Sequence, residues 1–294
     1  MHPMAERKAG GMSVFKNATI AMADVLGSRN YIKNAGKDPK TDAERHYAEM
    51  LHNLMADAVS LFEDSEDISL KAFSDNFIIY SEDNSPNTAK RIVQGMAGLQ
   101  YNAICKYGLL LRGGITEGKM YWSEDGAYDD FVTGKALLRA HELESEIAVY
   151  PRIIVDGPVA DKIDAGGLVV RNENIFFINY LTYTKLQETS DSPAPYAEDS
   201  PYENGGMIAD HASALKKHVS EDLGLNIKGH EWDSIRDKDV WALAYHNYFC
   251  GRHSADAYRI DFSETYDDTD RIVIRIEDGN SDGGRVQRRR FPGG

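Results

Sequence analysis

The chain has 294 residues, which allows one large domain or a core domain with a sizeable appendage. Hydrophobic residues make up 42% and charged residues 27%, which is the composition of an ordinary globular protein. The formal net charge of −14 argues against broad binding to nucleic acid or to an anionic membrane, both of which need basic surface, but it does not exclude a nucleotide substrate.

Neither a membrane span nor a secretion signal is expected. No apolar run approaches the roughly 18 residues that a membrane-spanning helix needs, and residues 1–11 are polar. The two cysteines, Cys105 and Cys250, are too few and too distant for a disulfide framework or a zinc site. We therefore expect a cytoplasmic protein in a reducing compartment.

The first half of the chain predicts the element order β-α-β-β-α-β, after a flexible arm at residues 1–13. Strands are predicted at 17–26, 69–73, 77–80 and 108–118, with 120–122 continuing the last strand or pairing with it. Helices are predicted at 41–62, where 41–44 form a capping-box signature, and at 87–107. This order is typical of the α+β, ferredoxin-like fold, with two helices on one face of an antiparallel sheet.

The second half predicts helices and strands that pack on this core. Helices are predicted at 131–147, 157–164, 208–223 and 238–252, and strands at 152–155, 168–170, 174–180, 259–262 and 271–277. Residues 183–206, rich in Ser, Pro, Asp and Gly, predict a mobile loop. The expected organisation is the arm, a core at 14–182, this loop, a C-terminal part at 207–278 packed on the core, and a flexible basic tail at 279–294.

Two aspartates stand out because each interrupts a strand-forming stretch. Asp24 lies in the apolar run 18–26, and Asp75 lies at the tip of the predicted hairpin. A carboxylate in a buried strand is costly unless it is paired or binds a metal. In this topology the two strand ends are neighbours, so the pair can hold Mg²⁺ or Mn²⁺ against a polyphosphate, with the carbonyl of Val25 as a further ligand. The alternative makes Asp24 a helix N-cap and Asp75 a turn residue.

Other polar groups near these aspartates are candidates for substrate binding. The backbone amides of Leu26, Gly27 and Ser28 can cradle phosphates. Lys71 lies four residues before Asp75, so the hairpin places both on one face, where the lysine can contact a base or a phosphate. The alternative for Lys71 is an exposed lysine on a solvated sheet face.

Three arginines have different expected roles. Arg139 can bind phosphate near the start of the third helix, or it can form a surface ion pair with Glu142 or Glu144. Arg112 is expected to be structural and to tie a strand edge to an acidic group, and the role of Arg152 is open.

Common catalytic motifs are missing from the sequence. There is no HExxH, no GxSxG, no GxxxxGK[ST] and no GxGxxG after a strand. His246 lies in an amphipathic aromatic stretch and is predicted to be a packed core histidine.

Several motifs resemble those of class III nucleotidyl cyclase catalytic domains. They are Asp24-Val25-Leu26-Gly27, Lys71-Ala72-Phe73-Ser74-Asp75 with Ser where the family has Gly, and Arg112-Gly113-Gly114-Ile115-Thr116-Glu117-Gly118. Further segments resemble those of the Pycsar pyrimidine cyclases of bacterial anti-phage defence. They are Phe73-Ser74-Asp75-Asn76, Gly134-Lys135-Ala136-Leu137, Arg139-Ala140-His141-Glu142-Leu143-Glu144, Tyr150-Pro151-Arg152-Ile153 and Tyr245-His246-Asn247. The resemblance covers residues 17–182 well and the C-terminal part more loosely.

The resemblance implies a class III cyclase fold and a homodimer with active sites at its interface. It implies two Mn²⁺ or Mg²⁺ ions held by Asp24 and Asp75, with Lys71 where related purine cyclases select the base, and we assign the neighbouring Phe73 to substrate binding as well. The implied reaction converts a pyrimidine nucleoside triphosphate, UTP before CTP, to its 3′,5′-cyclic monophosphate and pyrophosphate. The product would be a second messenger that a separate effector reads.

One departure from the family concerns the third helix. Many class III cyclases carry Asn and Arg four residues apart there, where this chain has Leu138 and Glu142. Arg139 is one residue away and therefore rotated by about 100° around the helix. We assign Arg139 to catalysis and Arg152 to substrate binding as the basic groups available for the missing role.

Two rival functions follow from the same features. Another two-metal nucleotidyl transferase, such as a diguanylate cyclase or a palm-type polymerase, is disfavoured because the hairpin lacks GG[DE]EF and the net charge of −14 speaks against a nucleic-acid channel. A non-catalytic, cyclase-like nucleotide-binding module is disfavoured by the two aspartates and favoured by the missing Asn/Arg pair.

Overall fold

The computed structural model describes residues 16–28, 43–122, 132–163, 167–172, 174–183, 205–224 and 229–261. The strands are β1 (Lys16–Val25), β2 (Ser69–Phe73), β3 (Asn76–Ser81), β4 (Leu111–Trp122), β5 (Val132–Gly134), β6 (Ile153–Val155), β7 (Val169–Asn172) and β8 (Ile175–Ile178). The α-helices are α1 (Ala43–Phe62), α2 (Pro86–Tyr107), α3 (Lys135–Glu142), α4 (Gly157–Lys162), α5 (Gly205–Leu223) and α6 (His230–Arg252). A π-helical turn at Leu143–Ile147 and 3₁₀ turns at Tyr180–Thr182 and Asp256–Tyr258 complete the described elements.

The strands form one mixed sheet. Their order is β2-β3-β1-β4-β6-β8-β7, and β5 pairs with the far part of β4. The first four are antiparallel neighbours, whereas β4 and β6 are parallel. The order β2-β3-β1-β4, with α1 and α2 as the connections, is the ferredoxin-like arrangement, which confirms the predicted α+β class. Strands β6, β8 and β7 extend this core on the β4 side.

The central strand β1 is covered on both faces because its side chains alternate between two layers. Ala21 and Ala23 belong to the main core, to which α1 and α2 contribute. Ile20 points the other way and packs with Ala136 and Ala140 of α3. Helix α3 therefore covers part of the face that a bare ferredoxin-like sheet leaves open.

Helix α2 has a clear signal at each end. The Ser85 hydroxyl accepts the N–H of Thr88 at 3.3 Å, and Pro86 opens the first turn. At the other end Gly108 has φ 67° and donates its N–H to the carbonyl of Ile104 at 3.0 Å. The helix therefore ends sharply and turns the chain into β4.

Two consecutive glycines on β4 allow close packing on both sides of the sheet. A Cβ on Gly113 would meet the carbonyl oxygen of Met22 at 2.3 Å. A Cβ on Gly114 would meet Cβ of Leu143 at 2.4 Å and the carbonyl oxygen of Ala140 at 2.5 Å. The missing side chain of Gly114 lets the α3 layer lie directly on β4, and that of Gly113 leaves room for the backbone of β1.

The C-terminal helices pack beside the end of β1. A buried apolar cluster joins α5 and α6 to the end of α2 and to the start of β4, and Leu26 packs against it. Its buried members are Ile104, Leu110, Leu215, Val219, Ala242, Leu243 and Ile260. This packing brings the C-terminal part next to the stretch that contains Asp24.

Three predicted elements need correction. Residues 132–134, predicted as helix, form β5 because they pair in extended form with 120–122 of β4. Helix α6 begins at His230 and not at residue 238. Residues 259–261 are not a strand, because the side chain of Asn247 binds both the N–H and the carbonyl of Ile260, each at 2.8 Å, and so replaces a sheet partner.

Several predictions fall outside the described residues: the arm, the start of the capping box at 41–42, residues 184–204 of the loop, the strand at 271–277 and the tail. Residues 205–206 of the predicted loop already belong to α5. The division of the chain into domains stays a prediction. Within the described residues, no helix is long and apolar enough to cross a membrane.

Candidate active site

Asp24 belongs to a row of side chains that crosses one end of the sheet. Its cross-strand partners are Asn76 on β3 and Arg112 on β4. Asn76 pairs in turn with Phe73 on β2. Because directly opposite residues share a face of the sheet, these four side chains project on the same side. This is the face that α3 covers further along β1.

The backbone holds Asp75 beside this row. Asp75 follows Ser74 in the β2–β3 turn, and its carbonyl oxygen accepts the N–H of Val25 at 3.3 Å. The side-chain Nδ2 of Asn76 donates to Oδ1 of Asp75 at 3.4 Å. The turn is therefore tied to the end of β1, and the structure brings the two predicted aspartates together.

The site has an excess of negative charge. Burial, followed by repulsion from Asp75, raises the pKa of Asp24 from 3.8 to about 6. Arg112 opposes this shift, since its Nη2 donates to Oδ2 of Asp24 at 3.3 Å. Nε of Arg112 also lies 2.7 Å from Oε1 of the buried Glu144, an ion-pair distance without hydrogen-bond geometry. One guanidinium thus contacts two carboxylates, and a third, that of Asp75, repels Asp24.

These residues fit a hard divalent cation. Mg²⁺ and Mn²⁺ take carboxylate and carbonyl oxygens, and a cation between Asp24 and Asp75 would remove the repulsion that raises the pKa of Asp24. The Asp24 side chain keeps 18% of its surface exposed, so an ion can reach it. Asp24, Asp75 and the carbonyl of Val25 therefore remain candidate metal ligands.

One predicted phosphate contact is wrong. The N–H of Leu26 donates to the carbonyl of Leu110 at 2.8 Å, so this amide is not available to a phosphate. The Leu26 side chain packs against the C-terminal helices, which fixes the backbone in this position. Gly27, at φ 80°, and Ser28 follow at the surface and stay candidates for phosphate binding.

Lys71 and Phe73 lie on the same face as Asp24. Phe73 is in the row itself, and Lys71 is two residues earlier on β2, opposite Ile78. The Phe73 side chain is 82% exposed, so its ring is open to a ligand or to a partner. Since neighbouring strands are about 4.8 Å apart, the Phe73 backbone lies about 10 Å from that of Asp24, and one nucleotide can reach both.

Arg139 does not join the Asp24 network in this chain. Its guanidinium donates to both carboxylate oxygens of Asp156 at 3.1 and 3.2 Å and to Glu142 at 3.4 Å. Asp156 also accepts the hydroxyl of Thr116 at 2.9 Å, four residues along β4 from Arg112. The ion pair with Glu142 was among the sequence-based alternatives, but Asp156 was not, and the catalytic assignment of Arg139 stays a prediction.

Arg152 is a core residue, which does not fit its predicted role in substrate binding. It is only 8% exposed and lies over the rings of Tyr150 and Phe177, 5.5 and 5.9 Å from their centroids. Its Nη2 donates to the carbonyl of Ile147 at 3.3 Å, and burial lowers its pKa. The guanidinium is therefore used within the fold.

Two groups at the site are not among those selected from sequence. Glu144 is 3% exposed and binds both Arg112 and, at 3.2 Å, Nδ1 of His141. From sequence, Glu144 was considered only as a surface partner of Arg139 on the same predicted helix. Helical spacing gives no indication of a contact with Arg112, which lies on a strand. The structure makes Glu144 the buried acid that orients Arg112 toward Asp24.

Lys238 of α6 is the second group. Burial and then Arg112 lower its pKa, while Asp239, Asp222 and Asp24 act in the opposite direction. The half-buried ammonium therefore lies within electrostatic range of both Asp24 and Arg112. The available sequence signal was its position three residues before Trp241, which places it at the edge of the buried face of the helix.

No protein-family model matches the chain, and no curated protein sequence matches it. Similar solved structures include the adenylyl cyclase CyaB from P. aeruginosa, at 14% identity over 57% of this chain and 95% of that chain, with a TM-score of 0.46. The guanylate cyclase domain of RhGC from Catenaria anguillulae in complex with GTP has 12% identity over 55% of this chain and 96% of that chain, with a TM-score of 0.43. The chain is thus similar to adenylyl and guanylyl cyclase domains at low identity, and its fold is defined by the strand order and registers given above.

Proposed function

We propose that the protein is a nucleotidyl cyclase of the class III type. In this proposal it is a cytoplasmic homodimer that converts UTP to 3′,5′-cyclic UMP and pyrophosphate, using two Mn²⁺ or Mg²⁺ ions. Cyclic UMP is then a second messenger, of the kind used in anti-phage defence, that a separate effector reads. CTP, giving cyclic CMP, is the alternative substrate.

One observation carries the proposal. The end of β1 and the β2–β3 turn bring Asp24 and Asp75 together, and burial with mutual repulsion raises the pKa of Asp24 to about 6. Two carboxylates that repel each other at one end of the sheet stabilise neither the sheet nor the turn. Such a pair is suited to binding divalent cations. The motif Asp24-Val25-Leu26-Gly27, which resembles the one on the first strand of class III cyclases, supports the same assignment.

The reaction is an intramolecular displacement at phosphorus. The ribose 3′ oxygen forms a bond to the α-phosphorus, the bond from that phosphorus to the bridging oxygen of pyrophosphate breaks, and the 3′ proton goes to water. Cations bound by Asp24 and Asp75 would lower the pKa of the 3′ hydroxyl and stabilise the leaving pyrophosphate.

The residues of this chain supply binding and orientation. Arg112, itself held by Glu144, fixes the carboxylate of Asp24 and balances part of its charge. Phe73 offers an exposed ring for stacking on the base, and Lys71 lies beside it on the same face. Lys238 adds a positive charge next to Asp24, where the polyphosphate would lie.

Exposed apolar side chains support the homodimer. Phe73, on the face that carries Asp24, and Leu138, on the helix that covers that face further along the sheet, are 82% and 59% exposed. Covering these two side chains with a second copy would remove their apolar surface from water. A second copy bound there would cover the open side of the row and exclude water from the reacting phosphate.

The test is incubation of the purified protein with each of the four ribonucleoside triphosphates and Mn²⁺, with products resolved by mass. We expect cyclic UMP with pyrophosphate, no product from Asp75→Ala, and unchanged activity in Asp64→Ala, a control at an exposed turn. Cyclic AMP or cyclic GMP as the main product would overturn the pyrimidine assignment. Activity retained in Asp75→Ala would overturn the two-aspartate mechanism.

A non-catalytic nucleotide-binding module is the second candidate. Leu138 and Glu142 replace the Asn and Arg of many class III cyclases, and Arg139 is held by Asp156. Metal-dependent binding of a nucleotide without release of pyrophosphate, measured on the same samples, would favour this function.

A further inference from the structure

A second cluster of metal-ligating side chains lies in the C-terminal part, apart from Asp24 and Asp75. It consists of His218 and Asp222, one turn apart on α5, and Asp239 on α6. One donor atom from each residue lies within 4.8 Å of the other two. Two helices that are separate in sequence therefore converge on one point.

We propose that His218, Asp222 and Asp239 form a binding site for a divalent transition metal, with Zn²⁺ as the best match, that joins α5 and α6 to the turn between α2 and β4. The site is distinct from the candidate catalytic ions and does not depend on the proposed cyclase activity.

The donor spacing fits such an ion. Nε2 of His218 lies 3.6 Å from Oδ2 of Asp222 and 3.5 Å from Oδ1 of Asp239. A Zn²⁺ ion binds nitrogen and carboxylate oxygen at about 2.0–2.2 Å with tetrahedral angles, which puts neighbouring donors about 3.3–3.6 Å apart. The imidazole therefore already lies at the required distance from both carboxylates, and the two carboxylates lie within 4.8 Å of each other.

The orientation of His218 is an independent indication. Its Nδ1 lies 2.8 Å from the carbonyl oxygen of Gly108, so this nitrogen carries the proton and donates. That bond turns Nε2 toward the two carboxylates. Metal-binding histidines are held in this way, with the second ring nitrogen donating to a backbone carbonyl that fixes the ring.

The simpler explanation is a protonated His218 between two carboxylates. The neighbouring carboxylates do favour the charged ring, and they raise the pKa of His218 against the effect of burial. A charge-assisted N–H···O bond, however, is about 2.7–2.9 Å long, and the separations of 3.5 and 3.6 Å are too long for it on either side. The spacing matches two donors of one metal ion more closely than it matches a charge-assisted hydrogen bond.

The surroundings define the class of ion. Imidazole nitrogen with two carboxylates suits Zn²⁺ or Mn²⁺ better than Mg²⁺ or Ca²⁺, which prefer oxygen alone. The side chains of His218 and Asp239 are 8% and 1% exposed, while Asp222 keeps 19%. Two of the three candidate ligands are thus buried, and solvent has most access to the cluster at Asp222.

Such an ion would support the candidate active site. Gly108 is followed closely by Leu110, whose carbonyl binds the N–H of Leu26, two residues after Asp24. Lys238 precedes the ligand Asp239 directly. An ion on Asp239 would therefore hold α6 in the position that brings the ammonium of Lys238 near Asp24.

The experiment uses chelator-treated protein carrying Asp75→Asn, which weakens binding at the candidate catalytic site. Zn²⁺, Mn²⁺ and Mg²⁺ are titrated separately, and bound metal per chain and the melting temperature are measured. We expect one tightly bound Zn²⁺ per chain, a rise in melting temperature, and at least about tenfold weaker binding with His218→Gln. Mg²⁺ should bind far more weakly than Zn²⁺.

Asp222→Asn keeps the test decisive if His218→Gln does not fold, because Asp222 is the most exposed of the three ligands. Asp210→Asn, on an exposed position of the same helix, is the control and should bind Zn²⁺ like the parent. Absence of bound Zn²⁺, equal affinity in Asp222→Asn and the control, or equal binding of Mg²⁺ would each overturn the proposal.

Discussion

Arg112 binds Asp24 across the β1–β4 ladder, with 3.3 Å between Nη2 and Oδ2, and the same guanidinium meets the buried Glu144. The Arg112 guanidinium thus pairs with two carboxylates, and the Asp75 carboxylate repels one of them. Burial, and then repulsion from Asp75, raises the pKa of Asp24, and Arg112 only partly offsets this shift. A fold shaped by stability alone would pair its acids more evenly, so this imbalance is what we expect where a cation binds.

Asp24→Asn should stabilise the protein in the absence of divalent cations. The folded-state pKa of Asp24 is raised from 3.8 to about 6, so its contribution to stability is complete below about pH 3.8 and is lost as the pH rises through 6. At neutral pH the charged side chain therefore destabilises the fold. Asparagine removes that charge, and we expect a gain of about 1–2 kcal/mol in the free energy of unfolding at about pH 7.5 with a chelator.

Denaturant unfolding checks this, with Asp161→Asn at an exposed position as the control. Mn²⁺ should stabilise the wild type and should have little effect on Asp24→Asn. A variant less stable than the wild type in chelator would show that Asp24 contributes through Arg112 more than it loses by repulsion.

Ser74→Gly should stabilise the β2–β3 turn. Ser74 has φ 58°, a left-handed conformation that disfavours a side chain with a Cβ, and class III cyclases carry glycine at this position. We expect a gain of about 0.5–1 kcal/mol in the free energy of unfolding. Ser74→Ala keeps the Cβ and should show no such gain, while a β-branched Ser74→Val should be less stable than either. Equal stability of the Gly and Ala variants would contradict this account.

The part of the fold that follows from local pattern was predictable. A nearly continuous apolar run marked β1, and residues with high β-propensity marked β3. The β-α-β-β-α-β order placed the end of β1 beside the hairpin, where Asp24 and Asp75 lie. What failed was conformation decided by distant partners. Residues 132–134 have no helix-breaking proline, yet they are a strand because the backbone of 120–122 is available for pairing.

The arginines show the same limit at the site. The partner of Arg139 is Asp156, which lies 17 residues later in sequence and reaches it because β6 runs parallel beside β4. Arg152 carries a charge, and charged residues are usually exposed, but the rings of Tyr150 and Phe177 enclose it. Neither contact can be predicted from the helical or strand periodicity of the sequence.

The buried pair His211 and His246 predicts a pH-dependent contribution to stability. Nε2 of His246 lies 2.9 Å from the carbonyl of Tyr258 and must donate, so its Nδ1 accepts from Nδ1 of His211 at 2.9 Å, and Nε2 of His211 accepts from the hydroxyl of Tyr180 at 2.9 Å. Both rings are neutral in this chain of bonds. Burial, and then the neighbouring His246, lowers the pKa of His211 well below 6.5.

A lowered pKa means that the stability contributed by His211 is present above about pH 6.5 and is lost as the pH falls, because only the unfolded chain then takes up the proton. The stability difference between the wild type and His211→Gln should therefore narrow below pH 6.5, by up to about 1.4 kcal/mol per pH unit. Taking the difference cancels other titrating groups, such as Asp24 and Asp222. Tyr180→Phe, which keeps the imidazole, should keep the slope of the wild type, and a constant difference for His211→Gln would refute the neutral pair.

Lys238→Ala should weaken substrate binding if the ammonium contacts the polyphosphate. Lys238 is the basic side chain that α6 brings into range of Asp24 and Arg112, and a hydrogen bond to a charged group contributes about 1.5–3 kcal/mol. We expect KM for the nucleoside triphosphate to rise by roughly 10- to 100-fold, with Lys238→Arg closer to the wild type because it retains the charge. Lys217→Ala, at an exposed position of α5, should leave KM unchanged. If KM stays constant in Lys238→Ala while the melting temperature falls, the positive charge of Lys238 stabilises the fold against the negative charges of Asp222, Asp239 and Asp24. Gly27 and Ser28 would then be the groups that bind the phosphates.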